Sequence, residues 1–169
     1  MKTKLLLLTF LIFCSFSSIA QFKTAKIGID GLTCSMCSNS VEKLLLQLDF
    51  VESVKMDLNT NEAILFFHQK YKTDFKKVSQ KIYDSGFSVR EISTSLNFDT
   101  ISLNGNSFQV NGDKFYILSE EQTNISGERS FRFLDKNLIN KKEYSRWSYF
   151  IKENDKVHNE KQKAYHISL

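Results

Sequence analysis

Two cysteines three positions apart, Cys34 and Cys37, are the residues of this chain whose type and spacing could do chemistry. They lie in the segment Gly-Leu-Thr-Cys-Ser-Met-Cys that begins at Gly31. Apolar residues recur after this segment at helical spacing, and Cys37 falls on the same helix face one turn earlier. Both sulfurs are therefore expected at a helix N-terminus, where unpaired N–H groups and the helix dipole favour the thiolate. Such a dithiol either binds a metal ion or exchanges disulfides.

The start of the chain predicts the cellular compartment in which these cysteines function. Lys2 and Lys4 precede an apolar run over residues 5–16 and a small-residue exit that ends at Ala20. This pattern is typical of a secretory signal peptide, residues 1–20, so the mature protein is expected to be periplasmic or secreted. No later window approaches about 18 apolar residues, so no stable membrane span is expected after cleavage. A retained N-terminal anchor and lipidation at Cys14 are the alternatives.

Charge and motifs exclude several classes of function. The net charge of +4 falls to +2 when Lys2 and Lys4 leave with the signal peptide. The mature chain has no basic stripe of the kind that phosphate-backbone binding requires, so nucleic acid is not expected as a partner. The sequence also shows no nucleophile-base-acid set, no Gly-rich phosphate loop and no His-x-x-x-His helix. We therefore do not expect an enzyme.

Residues 22–93 predict a first domain with the element order β-α-β-β-α-β. Alternating or continuous apolar runs indicate the strands, amphipathic spacing indicates the helices, and Gly86 ends the second helix. The predicted strands are 25–29, 54–58, 63–67 and 87–89, and the predicted helices are 37–48 and 75–82. Two helices on one face of a four-stranded antiparallel sheet form the ferredoxin-like arrangement, which is an α+β fold.

The cysteine segment and this element order together resemble the heavy-metal-associated domain of copper chaperones, metal-pumping ATPases and periplasmic mercury-binding proteins. The family pattern is Gly-Met-Thr-Cys-x-x-Cys, and this chain meets it at four positions, Gly31, Thr33, Cys34 and Cys37. It departs from the pattern at Leu32, which replaces Met. The resemblance implies that the two cysteines are the metal ligands, that Leu32 supports the loop from below, and that Gly86 and Phe87 approach the metal.

The number of ligands limits which metal ions the site is expected to bind. Two thiolates satisfy soft ions that accept two-coordinate geometry, such as Cu(I) and Hg(II), whereas zinc generally takes four ligands. Asp30 is the nearest acidic residue, and we expect a solvated carboxylate there. Our prediction is an exported protein that carries Cu(I) on Cys34 and Cys37. Transfer to or from a protein partner would follow by thiol ligand exchange, as the resemblance implies.

Four alternatives stay open at this point. The first is a periplasmic Hg(II) scavenger, and the second is a dithiol-disulfide oxidoreductase. The chain contains no proline, which argues against a thioredoxin-type redox site. The third is a structural disulfide, which would contribute little stability because it closes so short a loop. The last is an assembly or interaction protein whose metal domain only senses. An oxidising compartment could also close the dithiol and gate metal binding.

Residues 94–169 predict a second, all-β module of sandwich or barrel type, in which we recognise no family. Short β-type runs alternate there with Asn, Gly, Asp and Ser turns. The predicted strands are 100–103, 108–110, 115–118, 131–134, 147–151 and 165–168. The turn at Asn111-Gly112 predicts a hairpin. The polar segment 152–163 is expected to be a solvated turn, or otherwise a strip that binds a partner.

This second module offers no obvious chemistry. Its aromatic side chains are expected to form the core, and they are Phe115, Tyr116, Phe131, Phe133, Trp147, Tyr149 and Phe150. The three histidines of the chain, His68, His158 and His166, have no partner within reach by sequence. They are therefore expected at the surface or at strand ends.

Overall fold

A computed structural model describes residues 22–118, 125–158 and 164–169 of the chain. The predicted signal peptide, with Cys14, lies outside these residues. Within them the elements follow in the order β1 Thr24–Asp30, α1 Ser35–Leu45, β2 Val51–Asp57, β3 Glu62–Phe67, α2 Phe75–Asp84, β4 Ser88–Asn97, β5 Ser107–Val110, β6 Asp113–Ile117, β7 Glu128–Phe133, α3 Lys141–His158 and β8 Ala164–Ser168. None of the helices described is long and apolar enough to cross a membrane.

All eight strands belong to one mixed sheet with the order β2-β3-β1-β4-β7-β8-β6-β5. The first four strands pair antiparallel, with β1 between β3 and β4. This confirms the predicted β-α-β-β-α-β order and the α+β, ferredoxin-like class for the first part of the chain. The pair β6 and β8 is parallel, whereas the other pairs are antiparallel.

Strand β4 joins the two parts of the sheet. The sequence predicts only a short strand at 87–89, but β4 runs for ten residues. Thr94 pairs with Ala25 of β1 on one side and with Phe131 of β7 on the other. The sheet is therefore continuous across the predicted boundary between residues 93 and 94. The boundary itself stays a prediction.

The prediction of an all-β second module is wrong. The predicted strand 147–151 and the beginning of the predicted turn 152–163 both lie within the 18-residue helix α3. The run Trp-Ser-Tyr-Phe-Ile has β-forming side chains, but the side chains that face inward recur at helical spacing. Asn140 also caps the helix, because its Oδ1 accepts a hydrogen bond from the Glu143 N–H at 3.0 Å.

Of the other strands predicted after residue 93, one is wrong and four are confirmed. Residues 100–103 do not form a strand, because a 3₁₀ turn over Phe98–Thr100 precedes an irregular segment. The strands predicted at 108–110, 115–118, 131–134 and 165–168 are confirmed as β5, β6, β7 and β8, with bounds that differ by at most three residues. The predicted hairpin is also confirmed. Asn111 and Gly112 have φ angles of 52° and 79°, as a tight turn between β5 and β6 requires.

One hydrophobic core connects the first part of the sheet with the second. Phe75, the first residue of α2, lies at its centre: its ring is 5.0 Å from that of Phe22 and 4.4 Å from that of Phe133, between centroids. Tyr165 of β8 packs against the same ring at 6.1 Å. Helix α2 therefore packs on strands from both halves of the chain.

Helix α3 lies on the opposite face of the sheet. Successive residues of a strand point to opposite faces, so His166 points away from the face on which Tyr165 packs. His166 Nε2 lies 3.4 Å from Asp155 Oδ1 on α3. Ile151 of α3 belongs to a second small core with Leu134 and Ile139. Two layers of helix therefore enclose the C-terminal half of the sheet.

Candidate metal-binding site

The two cysteines follow the end of β1 directly. Gly31 has a φ of +93°, a left-handed conformation that side chains with a Cβ rarely adopt, and it turns the chain out of the strand. Leu32 is buried in the core beneath the loop, in agreement with the supporting role that the resemblance implied. Cys34 then serves as the N-cap of α1, with an extended backbone. The prediction that the cysteines lie at a helix N-terminus is confirmed.

The two sulfurs are close together and accessible. Cys34 Sγ lies 2.7 Å from Cys37 Sγ, and the backbone N–H of Cys37 donates to Cys34 Sγ at 3.3 Å. The hydrogen bond from the Cys37 side chain, followed by that from the Cys37 backbone, lowers the pKa of Cys34 below 9.0. The same side-chain hydrogen bond raises the pKa of Cys37 above 9.0. The hydrogen bond therefore moves the two pKa values apart, so that Cys34 loses its proton before Cys37 does.

The loop before β4 approaches the cysteine loop. A Cβ at Gly31 would lie 3.3 Å from Cδ1 of Phe87, and Phe87 packs against the core from a partly buried position. Gly86, which ends α2 with a φ of +86°, allows the chain to turn toward this contact. The aromatic ring of Phe87 therefore forms one wall of the cysteine loop, next to Gly31.

Arg90 is a residue of this region that the sequence did not indicate. Its Nη1 lies 3.7 Å from Asp30 Oδ1, and its Nη2 donates to the Thr60 carbonyl at 3.1 Å. Asp30 is half-exposed, as expected, but it has this cationic neighbour. The Arg90 carbonyl also accepts a hydrogen bond from the Asn140 N–H at 2.9 Å. The strand beside the site is thereby bonded to the cap of α3.

Met36 is a second residue of this region that the sequence did not indicate. Its side chain is 78% exposed and lies between the two cysteines in sequence, within the first turn of α1. A thioether is a soft metal ligand, so its position inside a Cys-x-x-Cys segment could have indicated it. Among the described residues no group of three or more His, Cys, Asp or Glu side chains could hold a metal ion.

The histidine prediction is wrong for His166. Its ring is buried, Nδ1 lies 2.8 Å from Asp135 Oδ1, and Asp135 Oδ2 accepts from the His166 backbone N–H at 2.8 Å. The ring stacks on Tyr116 at 5.7 Å. A carboxylate 31 positions away in sequence could not be paired with it by inspection. His68 follows the end of β3, as expected, and the side chain of His158 lies outside the described part of the chain.

The aromatic prediction is confirmed for four of its seven residues. Phe115, Tyr116, Phe131 and Phe133 are buried. Trp147 is only partly buried, whereas Tyr149 and Phe150 are exposed on α3. The difference arises because a helix turns these neighbouring side chains in several directions, whereas a strand would alternate them.

Known proteins resemble the part of the chain that contains the two cysteines. The family model of the heavy-metal-associated domain matches residues 26–88. The mercuric transport protein periplasmic component of Pseudomonas fluorescens is 31% identical over 68 residues, which cover 40% of this chain and 74% of that protein. This chain belongs to the heavy-metal-associated domain family. The family domain occupies one segment of it and includes both cysteines.

Other heavy-metal-associated domains show the same partial coverage. A probable copper-exporting P-type ATPase of Archaeoglobus fulgidus is 35% identical over 63 residues, which cover 37% of this chain and 8% of the ATPase. The crystal structure of oxidised MerP from Ralstonia metallidurans CH34 is 28% identical, with a TM-score of 0.37, and the match covers 41% of this chain and 97% of that one. The family model ends at residue 88, where β4 begins.

Proposed function

We propose that this protein carries a soft metal ion, Cu(I) in the first place, as cargo on the thiolates of Cys34 and Cys37. The observation that supports it most is the pair of sulfurs 2.7 Å apart at the start of α1, with Cys34 exposed and Cys37 partly buried. Two thiolates satisfy Cu(I) without further protein ligands, and the helix N-terminus stabilises the remaining negative charge. The protein acts as a carrier in this proposal and not as an enzyme.

Metal binding requires the sulfurs to separate. With metal–sulfur bonds of about 2.3 Å, as in zinc thiolates, a linear S–metal–S unit spans about 4.6 Å. The apo distance of 2.7 Å is shorter, so one side chain must rotate. Cys34 can do so because it is exposed, whereas Cys37 packs against the core. We therefore assign the movement to Cys34.

Exposure of the loop also supports transfer to a partner. An incoming sulfur can reach the ion from the solvent side, form a third bond, and replace Cys34 before Cys37 leaves. The exposed thioether of Met36 is a soft donor beside this route. We propose a protein donor or acceptor with its own thiol or thioether ligands, in a periplasmic or extracellular compartment.

Hg(II) is the second candidate cargo. It is favoured by the 31% identity to a protein described as a mercuric transport protein periplasmic component. The same two thiolates would neutralise Hg(II), so the ligand set alone does not separate the two ions.

The first test is a titration of the anaerobically reduced protein with Cu(I) against a competing chelator. We expect one ion per chain, bound tightly, and loss of this binding in the Cys34→Ser/Cys37→Ser variant. Ser35→Ala is the matched control, since it alters an exposed residue of the same turn but leaves both thiolates. Binding that survives the double substitution would overturn the proposal. Turnover of a disulfide substrate by the wild type would favour the dithiol oxidoreductase instead.

A competition between the two ions separates the candidate cargoes. The reduced protein is loaded with Cu(I), and Hg(II) is then added with excess small-molecule thiol present as a buffer for both ions. Retention of Cu(I) at equal buffered concentrations supports the copper carrier. Complete replacement of the bound Cu(I) by Hg(II) at a far lower free Hg(II) concentration would favour the mercury-binding function.

A further inference from the structure

The outward face of α3 presents large apolar side chains to solvent. Tyr149 is 67% exposed, Phe150 56% and Val157 76%. The rings of Tyr149 and Phe150 lie 5.7 Å apart, and Trp147 extends the cluster at 6.0 Å from Phe150. Exposed patches of this kind often mark binding surfaces, and aromatic residues with arginine are enriched at protein interfaces.

The inward face of α3 holds the helix in place. Ile151 is buried with Leu134 and Ile139, and Trp147 packs partly against the same cluster. Arg132 Nη1 of β7 lies 2.6 Å from Glu143 Oε1 at the start of the helix. The outward side chains are therefore presented by a helix fixed to the sheet.

The outward positions are symmetric along the helix. They are all exposed, and they are Lys142, Arg146, Tyr149, Phe150, Glu153 and Val157. The intervals between them run four, three, one, three and four residues from either end. A second α3 laid antiparallel, with a two-fold axis between Tyr149 and Phe150, would therefore bring each position opposite a counterpart of the same set.

The charges on this face complement themselves in that arrangement. Arg146 of one copy faces Glu153 of the other, and the two-fold axis makes this pair twice. Glu153 already pairs with Lys156 in its own chain, between Nζ and Oε1 at 2.7 Å, and it is half-exposed, so it can accept a second cation. Tyr149 meets Phe150 at the centre, and the aliphatic stem of Lys142 covers Val157.

We propose that the protein forms a two-fold symmetric dimer through antiparallel packing of α3 against α3 of a second copy. Packed helix axes lie about 8–10 Å apart, which brings the central aromatic rings into contact. One helix pair buries less than about 1,200 Å², so the dimer is weak and reversible. The proposal is independent of the proposed metal function, because α3 contains none of the cysteines.

Sedimentation velocity tests the dimer, in the Cys34→Ser/Cys37→Ser background so that no metal or disulfide can bridge two chains. The protein is purified after expression of the full chain and measured from about 10 µM to about 1 mM, the range in which weak interfaces associate. We expect the average mass to rise toward that of the dimer. Arg146→Glu and Glu153→Arg should each weaken association about tenfold or more, since like charges then face each other.

Exchanging the charges of Arg146 and Glu153 tests the antiparallel packing of the two helices. The double variant Arg146→Glu/Glu153→Arg restores the opposite charges, so its association should return toward the wild-type value. Lys152→Glu is the matched control, because it reverses an exposed charge on the same helix away from the outward face. A wild type that stays monomeric over the whole range would overturn the proposal. A double variant as weak as the single variants would do the same.

Cross-linking gives a second readout. With all three native cysteines changed to serine, Tyr149→Cys places a thiol next to the two-fold axis, whereas Lys141→Cys places thiols of the two copies about 25 Å apart at a rise of 1.5 Å per residue. We expect a covalent dimer on mild oxidation only for Tyr149→Cys. Equal cross-linking of both variants would contradict the antiparallel register.

Discussion

The hydrogen bond between Cys34 and Cys37 links metal binding to pH. The pKa of Cys34 is lowered and that of Cys37 is raised by the hydrogen bond between them, so Cys37 is protonated at neutral pH. A metal ion needs both thiolates, so it must displace at least the proton of Cys37. The two thiols lose their protons as pH rises, so the metal affinity must also rise with pH.

We therefore predict that the apparent Cu(I) affinity increases by at least about tenfold per pH unit between pH 6 and pH 8, because at least the proton of Cys37 leaves for each ion bound. The slope should steepen at lower pH, once Cys34 is protonated as well. Competition titrations at several pH values, corrected for the chelator, measure this. An affinity that stays constant over the range would show that both thiols are already ionised in the apo protein.

Gly31 and Gly86 form a matched pair for testing the wall formed by Phe87. Both have a positive φ, so alanine at either position should cost about 1 kcal/mol of folding free energy or more. Only at Gly31 would the new Cβ also press on Phe87, at 3.3 Å, because nothing lies within 4 Å of the position at Gly86. We predict that Gly31→Ala destabilises more than Gly86→Ala in urea unfolding.

A third variant isolates this contact. Gly31→Ala combined with Phe87→Ala removes the crowding, so the coupling energy of the double-mutant cycle should be favourable. A cycle without coupling would mean that the backbone strain at Gly31 accounts for the whole effect.

His166 of β8 contacts two other elements. Asp135 joins it to the loop after β7, and Asp155 lies beside it on helix α3. Asp135 accepts hydrogen bonds from both the ring and the backbone of His166, each at 2.8 Å, and the ring is buried. Asp155, by contrast, is exposed and 3.4 Å from the other side of the ring. We predict that Asp135→Ala costs about 1–3 kcal/mol because it leaves buried donors without an acceptor. Asp155→Ala should cost less than about 1 kcal/mol.

Chemical denaturation of the two alanine variants compares these costs directly. If the two variants lost equal stability, both carboxylates would contribute equally to holding the His166 ring in place. Helix α3 would then depend on His166 more than its apolar contacts suggest.

We predict that the continuous core makes the described chain unfold as one cooperative unit. Phe75 of α2 contacts Phe22, Phe67, Phe133 and Tyr165, which come from both halves of the chain. We predict that Phe75→Ala lowers the free energy of unfolding by about 3–5 kcal/mol, the usual cost of removing a buried aromatic ring. Hydrogen exchange should show equal loss of protection in β1 and β8. Loss confined to one of these strands would show that the two halves unfold separately.

Sequence patterns predicted those features that depend on near neighbours. The Cys34-x-x-Cys37 spacing, the alternation of the first strands and the glycine after α2 are local, so the site and the β-α-β-β-α-β order could be inferred. The pairing of β4 with β7 could not, because nothing in the sequence relates Thr94 to Phe131. The strand prediction for residues 147–151 is wrong because the aromatic run outweighs the helical spacing of Tyr144, Trp147 and Ile151. The family resemblance ends before these elements.

The placement of β4 also changes where the sheet could polymerise. A unit of β1 to β4 alone would expose backbone hydrogen-bonding groups along two edges, on β2 and on the ten-residue β4. With β7 paired to β4, the described sheet ends instead on β5, a strand of only four residues, and on β2, where Glu52 and Lys55 sit along the edge. Short and charged edges resist pairing with other chains. The strands added after the family domain therefore protect an aromatic-rich protein from edge-to-edge aggregation.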